Sequence, residues 1–277
     1  MTADRIHSRI ERAGWPRFAT APWNARDRNA AAEDRPRTLP RIRAPIKSKG
    51  HPLWSYLSDR LGSTEMQRRA WHMLPGFLPF VLWIFPRHHL ATPASFTIFV
   101  STIIVGLAAA MYVGFCRIQR QGEEHCDCLT AVCGYSGSIL ATLILFPSHP
   151  ELAFTVLAVL AFGDGSATLG GMLLGGRRLP WNERKSYAGS ACFLVVGTLM
   201  ATLAYWGAPH YLPPTASAAA LSIRLALLVG LTATVAGAIA ESLPVRQNDN
   251  PRVGLAAALG VIGAQALLVG LPALIAY

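Results

Sequence analysis

The fold is decided by the stretch Leu152-Ala-Phe-Thr-Val-Leu-Ala-Val-Leu-Ala-Phe-Gly-Asp164-Gly-Ser-Ala-Thr168, which is apolar enough to cross a bilayer yet contains an acid. A second apolar run begins at Leu225 and ends on another carboxylate, Glu241. A carboxylate near the membrane interior costs several kcal/mol, and it persists where it faces a polar cavity, an ion or a partner. The two runs therefore predict a charged polar site at the membrane.

The composition is that of a membrane protein. The chain is 52% hydrophobic and 14% charged, with a mean hydropathy of +0.34, which is too apolar for an ordinary soluble domain. Apolar stretches of roughly 20 residues are candidate transmembrane helices. The candidates are 73–86, 95–116, 129–147, 151–173, 187–206, 218–242 and 253–276. Because backbone groups in lipid must be satisfied within a segment, we predict an all-α polytopic membrane helix bundle with about seven transmembrane helices.

Basic residues in the connectors predict the orientation. If the N-terminus is cytoplasmic, the inside loops contain eight Lys and Arg residues, and only Arg87 and Arg224 lie towards the outside. Cytoplasmic connectors are enriched in Lys and Arg. We therefore predict a multi-pass integral membrane protein with a cytoplasmic N-terminus, in which the polar site lies at the cytoplasmic side.

The N-terminal part differs in kind from the rest. Residues 1–70 contain 15 of the 25 Lys and Arg residues. We expect 1–50 to be a basic, disordered cytosolic tail, 51–72 a juxtamembrane segment, and 73–277 the transmembrane catalytic domain. The tail is either solvated or attracted to anionic lipid, and nucleic-acid binding is not expected. The oligomeric state stays open.

The densest group of polar residues follows Asp164. Small residues four apart, beginning with Gly163, fit close helix packing, but Gly-rich backbone such as that at Gly170 also lets phosphate approach main-chain N–H groups. The next loop contains cations, an amide and a hydroxyl: Arg177, Arg178, Asn182, Arg184, Lys185 and Ser186. Phosphoryl transfer requires a carboxylate for Mg²⁺, cations for phosphate and donors for orientation. The pattern predicts a nucleotide or phospholipid-headgroup site.

Two smaller polar groups lie at other span ends. Glu241 precedes Pro244 and Asp249, and it is either an interfacial cap or part of a metal–nucleotide site with the loop after Asp164. Arg69 and His72 precede the first span, where they are either an interfacial charge group or a phosphate contact and a polar group near the lipid headgroups.

The cysteines do not predict a metal site. Cys126, Cys128 and Cys133 follow His125 with a spacing that differs from common zinc motifs. We expect unpaired thiols there.

Three polar motifs are distributed over residues 65–265. They read Arg68-Arg69-x-x-His72, Gly163-Asp164 … Pro180-Trp181-Asn182 … Lys185-Ser186 … Gly189-Ser190, and Glu241-x-Leu243-Pro244 … Asp249-Asn250. In order and spacing they resemble the CTP-dependent lipid-alcohol kinases, the cytidylyltransferase-like group of dolichol kinases, phytol and farnesol kinases and yeast-type diacylglycerol kinases.

The resemblance implies transfer of the γ-phosphate of CTP, with Mg²⁺, to the hydroxyl of a membrane lipid such as a polyprenol, phytol, farnesol or diacylglycerol. It implies Asp164, Lys185 and Glu241 as catalytic residues, and Asp164 with Glu241 or Asp249 as Mg²⁺ ligands. Nucleotide and phosphate binding is implied for a larger set: Arg69, His72, Gly163, Gly170, Arg178, Asn182, Ser186, Gly189, Ser190 and Asn250.

The chain departs from the family pattern at three positions. Ala188 stands where the family often has Glu, Asn248 replaces the first Asp of an Asp-Asp-Asn segment, and Gly254 replaces a Pro. The changes concern nucleotide identity and the second metal ligand.

Three alternatives to the kinase stay open. One is a CDP-lipid synthase, which uses CTP but releases pyrophosphate. Another is an ion-coupled transporter in which Asp164 and Glu241 bind protons or cations. The third is a family member that binds nucleotide or lipid without turnover.

Overall fold

The computed structural model describes residues 62–84, 92–118, 125–211, 222–245 and 248–270. All of them belong to one compact unit, His51–Tyr277. The predicted tail 1–50 and residues 51–61 of the juxtamembrane segment lie outside the described residues.

The described part is helical apart from one short hairpin. Its elements are α1 (Ser63–Met73), α2 (Leu78–Leu82), α3 (Pro93–Arg117), α4 (His125–Leu145), α5 (Pro150–Ala158), α6 (Gly165–Leu174), β1 (Arg178–Leu179), β2 (Asn182–Ser186), α7 (Tyr187–Tyr211), α8 (Ile223–Ser242) and α9 (Asp249–Leu268). A π-helical segment, Val159–Asp164, joins α5 to α6, so that Pro150–Leu174 is one continuous rod. Six helices in the described residues are long and apolar enough to cross a membrane. The predicted all-α polytopic bundle is confirmed.

The first predicted span, 73–86, is broken rather than a single helix. Its described part consists of the end of α1, a 3₁₀ turn (Leu74–Phe77) and the five-residue α2. Pro75 and Pro79 interrupt the backbone hydrogen bonds because proline has no N–H group. The segment still follows the length of the bundle, since His72 contacts Asp164 while Trp83 stacks on Tyr211 at the far end of α7.

The rod from α5 to α6 is the central helix of the bundle. In its most apolar stretch of 18 residues, 89% is buried inside the protein, against 28% to 39% in the corresponding stretches of the other five long helices. Small residues let α7 approach it closely: a Cβ on Gly163 would lie 2.9 Å from the ring of Phe193, and one on Gly170 would lie 2.3 Å from Cys192 Sγ. Within the predicted stripe of small residues four apart, Gly163 and Gly171 pack closely, since a Cβ on Gly171 would lie 3.1 Å from Ser186 Oγ, whereas nothing lies within 4 Å of the position that a Cβ of Gly175 would occupy. Asp164, next to Gly163, is consequently held in the interior of the bundle.

The basic loop after α6 is a two-stranded hairpin, which the sequence pattern did not predict as strands. Gly175 and Gly176 end the helix with positive φ values of 62° and 96°, a conformation that glycine tolerates. β1 and β2 then pair antiparallel. Ser186 begins α7 by accepting a hydrogen bond from Gly189 N at 3.1 Å, the geometry of a helix N-cap.

Candidate active site

A buried acid–imidazole pair lies where α1 meets the central helix. His72 Nε2 is 3.1 Å from Asp164 Oδ2 and 3.0 Å from the carbonyl oxygen of Leu160. Both side chains are at least nine-tenths buried. Tyr135 of α4 supports the pair, because its hydroxyl donates to the carbonyl oxygen of His72 at 3.2 Å and its ring packs edge-on against the imidazole.

The π-helical segment explains how Asp164 is presented. π-helical turns inside α-helices are rare and are often found at functional sites. The segment ends at Asp164 itself. Leu160, whose carbonyl oxygen contacts His72, lies in the same segment. The local change of helix type therefore provides both partners of the imidazole.

A second charged group joins the hairpin to the ends of α8 and α9. Lys185 Nζ donates to Glu241 Oε1 at 2.6 Å and to Asp249 Oδ2 at 2.7 Å. Arg252 Nη2 donates to the other oxygen of Asp249, also at 2.6 Å. Glu241 is almost fully buried, whereas the other three side chains keep between 22% and 28% of their surface exposed. One cation on the hairpin thus holds two helix termini together.

The two groups form one electrostatic site. Asp164 interacts through charge with both Arg69 and Lys185, and Glu241 interacts with Asp164. Burial lowers the pKa of Lys185, but Glu241, Asp164 and Asp249 outweigh it, so that the pKa of the ammonium group lies above its usual value. Lys185 is therefore a permanent cation among three carboxylates.

The three carboxylates predicted as Mg²⁺ ligands are arranged as two neighbouring sets. Asp164 pairs with His72, while Glu241 and Asp249 share Lys185. The described residues contain no group of three or more His, Cys, Asp or Glu side chains arranged to hold a metal ion. Mg²⁺ is commonly held by one or two carboxylates together with substrate phosphates and water, and the oxygen donors present here fit that mode of binding.

Several residues predicted to bind nucleotide make contacts that hold the structure together. Asn182 Nδ2 donates to the carbonyl oxygens of Ser242 and Leu243, at 3.0 and 3.3 Å, and so fastens the hairpin to the end of α8. Asn250 Nδ2 donates to the carbonyl oxygen of Ala131, at 3.0 Å, which ties α9 to α4. The backbone at Gly189 packs directly against Ala167. Their roles in nucleotide binding stay predictions.

The remaining predicted residues differ in their availability to a ligand. The side chain of Arg178 is exposed, and its Nη1 donates to the carbonyl oxygen of Arg184 at 3.4 Å. Arg69 pairs with Glu65 at 3.0 Å. Ser190 Oγ is buried and has no hydrogen-bond partner in the part of the chain that the structure describes.

Sequence reasoning assigned no site role to Tyr135 and Arg252. Arg252 counted only as an inside-loop charge, yet its Nε and Nη1 groups are buried without an acceptor among the described residues. A signal was available, because Arg252 lies three residues after Asp249, a spacing that brings side chains together on a helix. Tyr135 gave no such signal, since its partner is 63 residues away.

Comparison with known proteins supports a lipid kinase relationship. A farnesol kinase of Arabidopsis thaliana is 27% identical over 164 residues, which cover 58% of this chain and 51% of that protein. A probable phytol kinase 2 of Glycine max is 26% identical over 204 residues, covering 72% and 65%. Phytol kinase 1 of Arabidopsis thaliana is 28% identical over 207 residues, covering 70% and 65%. The chain is similar to phytol and farnesol kinases.

The three motifs predicted a resemblance to lipid-alcohol kinases, and the similarity to phytol and farnesol kinases confirms it. The aligned part spans about half to two thirds of the length of the phytol and farnesol kinases just described. All three are named as chloroplastic proteins. No protein-family model matches the chain, and no solved structure matches it.

Proposed function

We propose that this protein is an integral-membrane kinase that transfers the γ-phosphate of CTP to the hydroxyl of a lipid alcohol, at a site on the cytoplasmic side. The observation that carries the proposal is that the buried Asp164–His72 pair interacts through charge with Lys185, which bridges Glu241 and Asp249, in a bundle of apolar helices. The similarity to phytol and farnesol kinases favours an isoprenoid alcohol as acceptor.

The Lys185 group supplies what a triphosphate requires. Lys185 and Arg252 are cations at the end of the bundle, and the unpartnered N–H groups of Arg252 offer donors to phosphate oxygens. Glu241 and Asp249, with Asp164 beside them, would hold Mg²⁺ together with the phosphates. When bound, Mg²⁺ neutralises the charge that develops on the phosphate oxygens.

The Asp164–His72 pair would act on the acceptor. Asp164 takes the proton of the lipid hydroxyl while that oxygen forms a bond to the γ-phosphorus. The bond from this phosphorus to the β–γ bridging oxygen breaks, and CDP leaves with the electron pair. His72, fixed by Leu160 and Tyr135, orients the carboxylate for this transfer.

The direct test is turnover by the purified protein in detergent. We would offer phytol, farnesol, a polyprenol and diacylglycerol, each with CTP, ATP, GTP or UTP and with or without Mg²⁺. The expected products are a lipid monophosphate and CDP. Pyrophosphate instead of CDP would identify a CDP-lipid synthase, and no turnover with the whole panel would contradict the kinase.

The variant Asp164→Asn tests whether Asp164 takes part in the reaction. We expect it to lower turnover by about a thousandfold or more, because the amide keeps the shape of the side chain but does not accept the proton. Asp127→Asn, on the exposed first turn of α4, is the control and should retain wild-type turnover. A fully active, folded Asp164→Asn protein would remove Asp164 from the mechanism.

A further inference from the structure

The hairpin after α6 has exposed cations that the ion pairs of the candidate active site do not include. Arg177, Arg178 and Arg184 are exposed, and so is Glu183. Lys185, by contrast, is turned towards the bundle, where two carboxylates neutralise it. The exposed side of the hairpin, here called the hairpin surface, therefore has three positive charges against one negative charge.

Aromatic and aliphatic side chains lie next to these charges. Trp181 forms the turn of the hairpin with Pro180 and is 54% exposed, and Tyr187, directly after β2, is 50% exposed. Leu174, the last residue of α6, is 71% exposed. Exposing such side chains to water is unfavourable, whereas Trp and Tyr are enriched where a membrane meets water. Aromatic rings and arginines beside the end of an apolar helix are typical of a membrane interface.

The structure holds the hairpin at the level of the helix ends. Its base is closed by a hydrogen bond from Tyr187 N to the carbonyl oxygen of Arg177, at 3.1 Å. Its turn is fastened through Asn182, whose Nδ2 donates to the carbonyl oxygens of Ser242 and Leu243 at the end of α8. The central rod, α7 and α8 are each long and apolar enough to cross a membrane, so both ends of the hairpin lie at the membrane surface. The hairpin consequently lies along this surface.

The chemistry of the hairpin surface identifies its partner. The phosphate groups of anionic lipids attract arginines near the membrane surface, and a guanidinium group can donate two parallel hydrogen bonds to one phosphate. The acyl chains below them accommodate Leu174 and the ring of Trp181. A soluble acidic protein would match the arginines but would leave these apolar side chains without a partner. The hairpin surface thus fits a membrane that contains anionic phospholipid.

We propose that the hairpin surface binds the headgroups of anionic phospholipids in the membrane that surrounds the bundle. This phospholipid is a bound partner and not the acceptor of phosphate, so the assignment does not depend on the proposed kinase reaction. Lys185 lies on the same hairpin and bridges Glu241 and Asp249, so that lipid binding also stabilises this bridge.

Two neighbouring residues of opposite charge provide the first test. The dissociation constant of a short-chain phosphatidylglycerol would be measured by native mass spectrometry with the full chain in a neutral detergent. Arg184→Gln should raise it by about fivefold, the contribution of one cation near an anionic surface. Glu183→Gln should lower it by about twofold, because it removes an exposed charge that repels the lipid. The binding of phosphatidylcholine, which has no net charge, should not follow these changes.

Arg117→Gln is the matched control. Arg117 is exposed at the end of α3, on the same predicted side of the membrane, but it lies outside the hairpin. The variant should leave the dissociation constant unchanged. Equal effects of Arg117→Gln and Arg184→Gln would overturn the proposal, because the attraction would then come from the whole basic side of the protein. Wild-type protein that binds phosphatidylglycerol no better than phosphatidylcholine would overturn it as well.

Nucleotide phosphates are a second source of the same chemistry. In neutral detergent without anionic lipid, the double variant Arg177→Gln/Arg184→Gln should bind CTP as the wild type does. Weaker binding of CTP with unchanged binding of phosphatidylglycerol would assign these arginines to the nucleotide and refute the hairpin surface. Lipid binding that depends on Arg184, in a protein that phosphorylates no alcohol, would support the hairpin surface and refute the kinase.

The fluorescence of Trp181 measures the depth of the hairpin. The difference between the wild type and Trp181→Phe would be recorded in bilayers of lipids with bromine atoms either close to the headgroup or at the end of the acyl chains. Bromine close to the headgroup should quench the signal of Trp181 more strongly. Quenching by aqueous iodide alone would place the ring in water and overturn the proposal.

Discussion

Lys185 illustrates how a single cation organises this site. It lies on a hairpin, yet its two partners are at the end of one helix and the start of another. Carboxylates that lose such a partner repel each other and remain partly desolvated. The residue therefore has both a structural and a chemical role.

Lys185→Met should lower stability as well as activity. We expect a loss of about 2 kcal/mol in the free energy of unfolding, because Glu241 and Asp249 lose a charged hydrogen-bond donor. Thermal unfolding in detergent would measure it. Arg184→Met is the control, because Arg184 immediately precedes Lys185 and its side chain is exposed. It should leave the melting temperature unchanged. Equal stability of the two variants would contradict the bridging role.

The pH dependence of this effect follows from the direction of the pKa shift. The pKa of Lys185 in the folded protein is raised above its ordinary value of 10.5. The stability due to this group is fully present below pH 10.5 and is lost only as the pH rises through the higher folded-state pKa. The stability difference between wild type and Lys185→Met should therefore be constant between about pH 7 and 9.

Arg252 should act on the nucleotide rather than on the lipid. Its buried N–H groups without an acceptor would donate to phosphate oxygens. Arg252→Met is expected to raise the KM for the nucleotide by about tenfold or more, with a smaller effect on the KM for the alcohol. Arg224→Met, at the opposite end of α8, is the control. A change in the alcohol KM alone would show that Arg252 has a different role.

At the scale of elements, the contact between the central helix and α7 depends on the absence of side chains. Gly170→Ala would bring a methyl group to 2.3 Å from Cys192 Sγ, so that one helix must move. We expect a loss of about 1–3 kcal/mol in stability, measured by thermal unfolding. The double variant Gly170→Ala/Cys192→Ala should recover part of it.

Gly106→Ala on α3 is the matched control for that contact. Nothing lies within 4 Å of the position that its Cβ would occupy, and alanine is the better helix former. It should be neutral or slightly stabilising. If both glycine variants were equally stable, close packing would not be the reason for the small residue at position 170.

Another element-scale feature is a second buried polar group, at the start of α5. His149 Nδ1 lies 2.8 Å from Glu151 Oε1, and both side chains are essentially inaccessible. Charge interaction extends from Glu151 to Tyr205 of α7, whose hydroxyl bonds to Gln265 of α9. The group links the three helices α5, α7 and α9. The sequence did not predict this contact, because each of these polar residues lies in an apolar stretch.

At the scale of the whole molecule, the orientation in the membrane is the main testable prediction. Cys126, exposed at the start of α4, should react with a membrane-impermeant thiol reagent from the cytoplasmic side only. A cysteine in place of Ser222, at the start of α8, should react from the opposite side. Both measurements require a protein in which the other cysteines are replaced. Labelling with the sides exchanged would overturn the predicted cytoplasmic N-terminus.

Part of the structure can be predicted from the sequence alone. The long apolar runs determine the membrane helices, because backbone groups in lipid must be satisfied within each segment. The three motifs indicated Asp164, Lys185 and Glu241, since charged groups next to such runs are rare. The break in the first span was not predicted, although Pro75 and Pro79 mark its position in the sequence.

The contacts themselves were decided by the tertiary structure. That Lys185 rather than Arg184 bridges Glu241 and Asp249 depends on how the hairpin packs against α8 and α9. That Asp164 faces His72 depends on the π-helical segment, and that Asn182 fastens a loop depends on the carbonyl groups of Ser242 and Leu243. The sequence by itself determined which residues are apolar and which charges lie among them. Distances across 56 to 92 residues of chain follow only from helix packing, because no local pattern encodes the rotation of one helix against another.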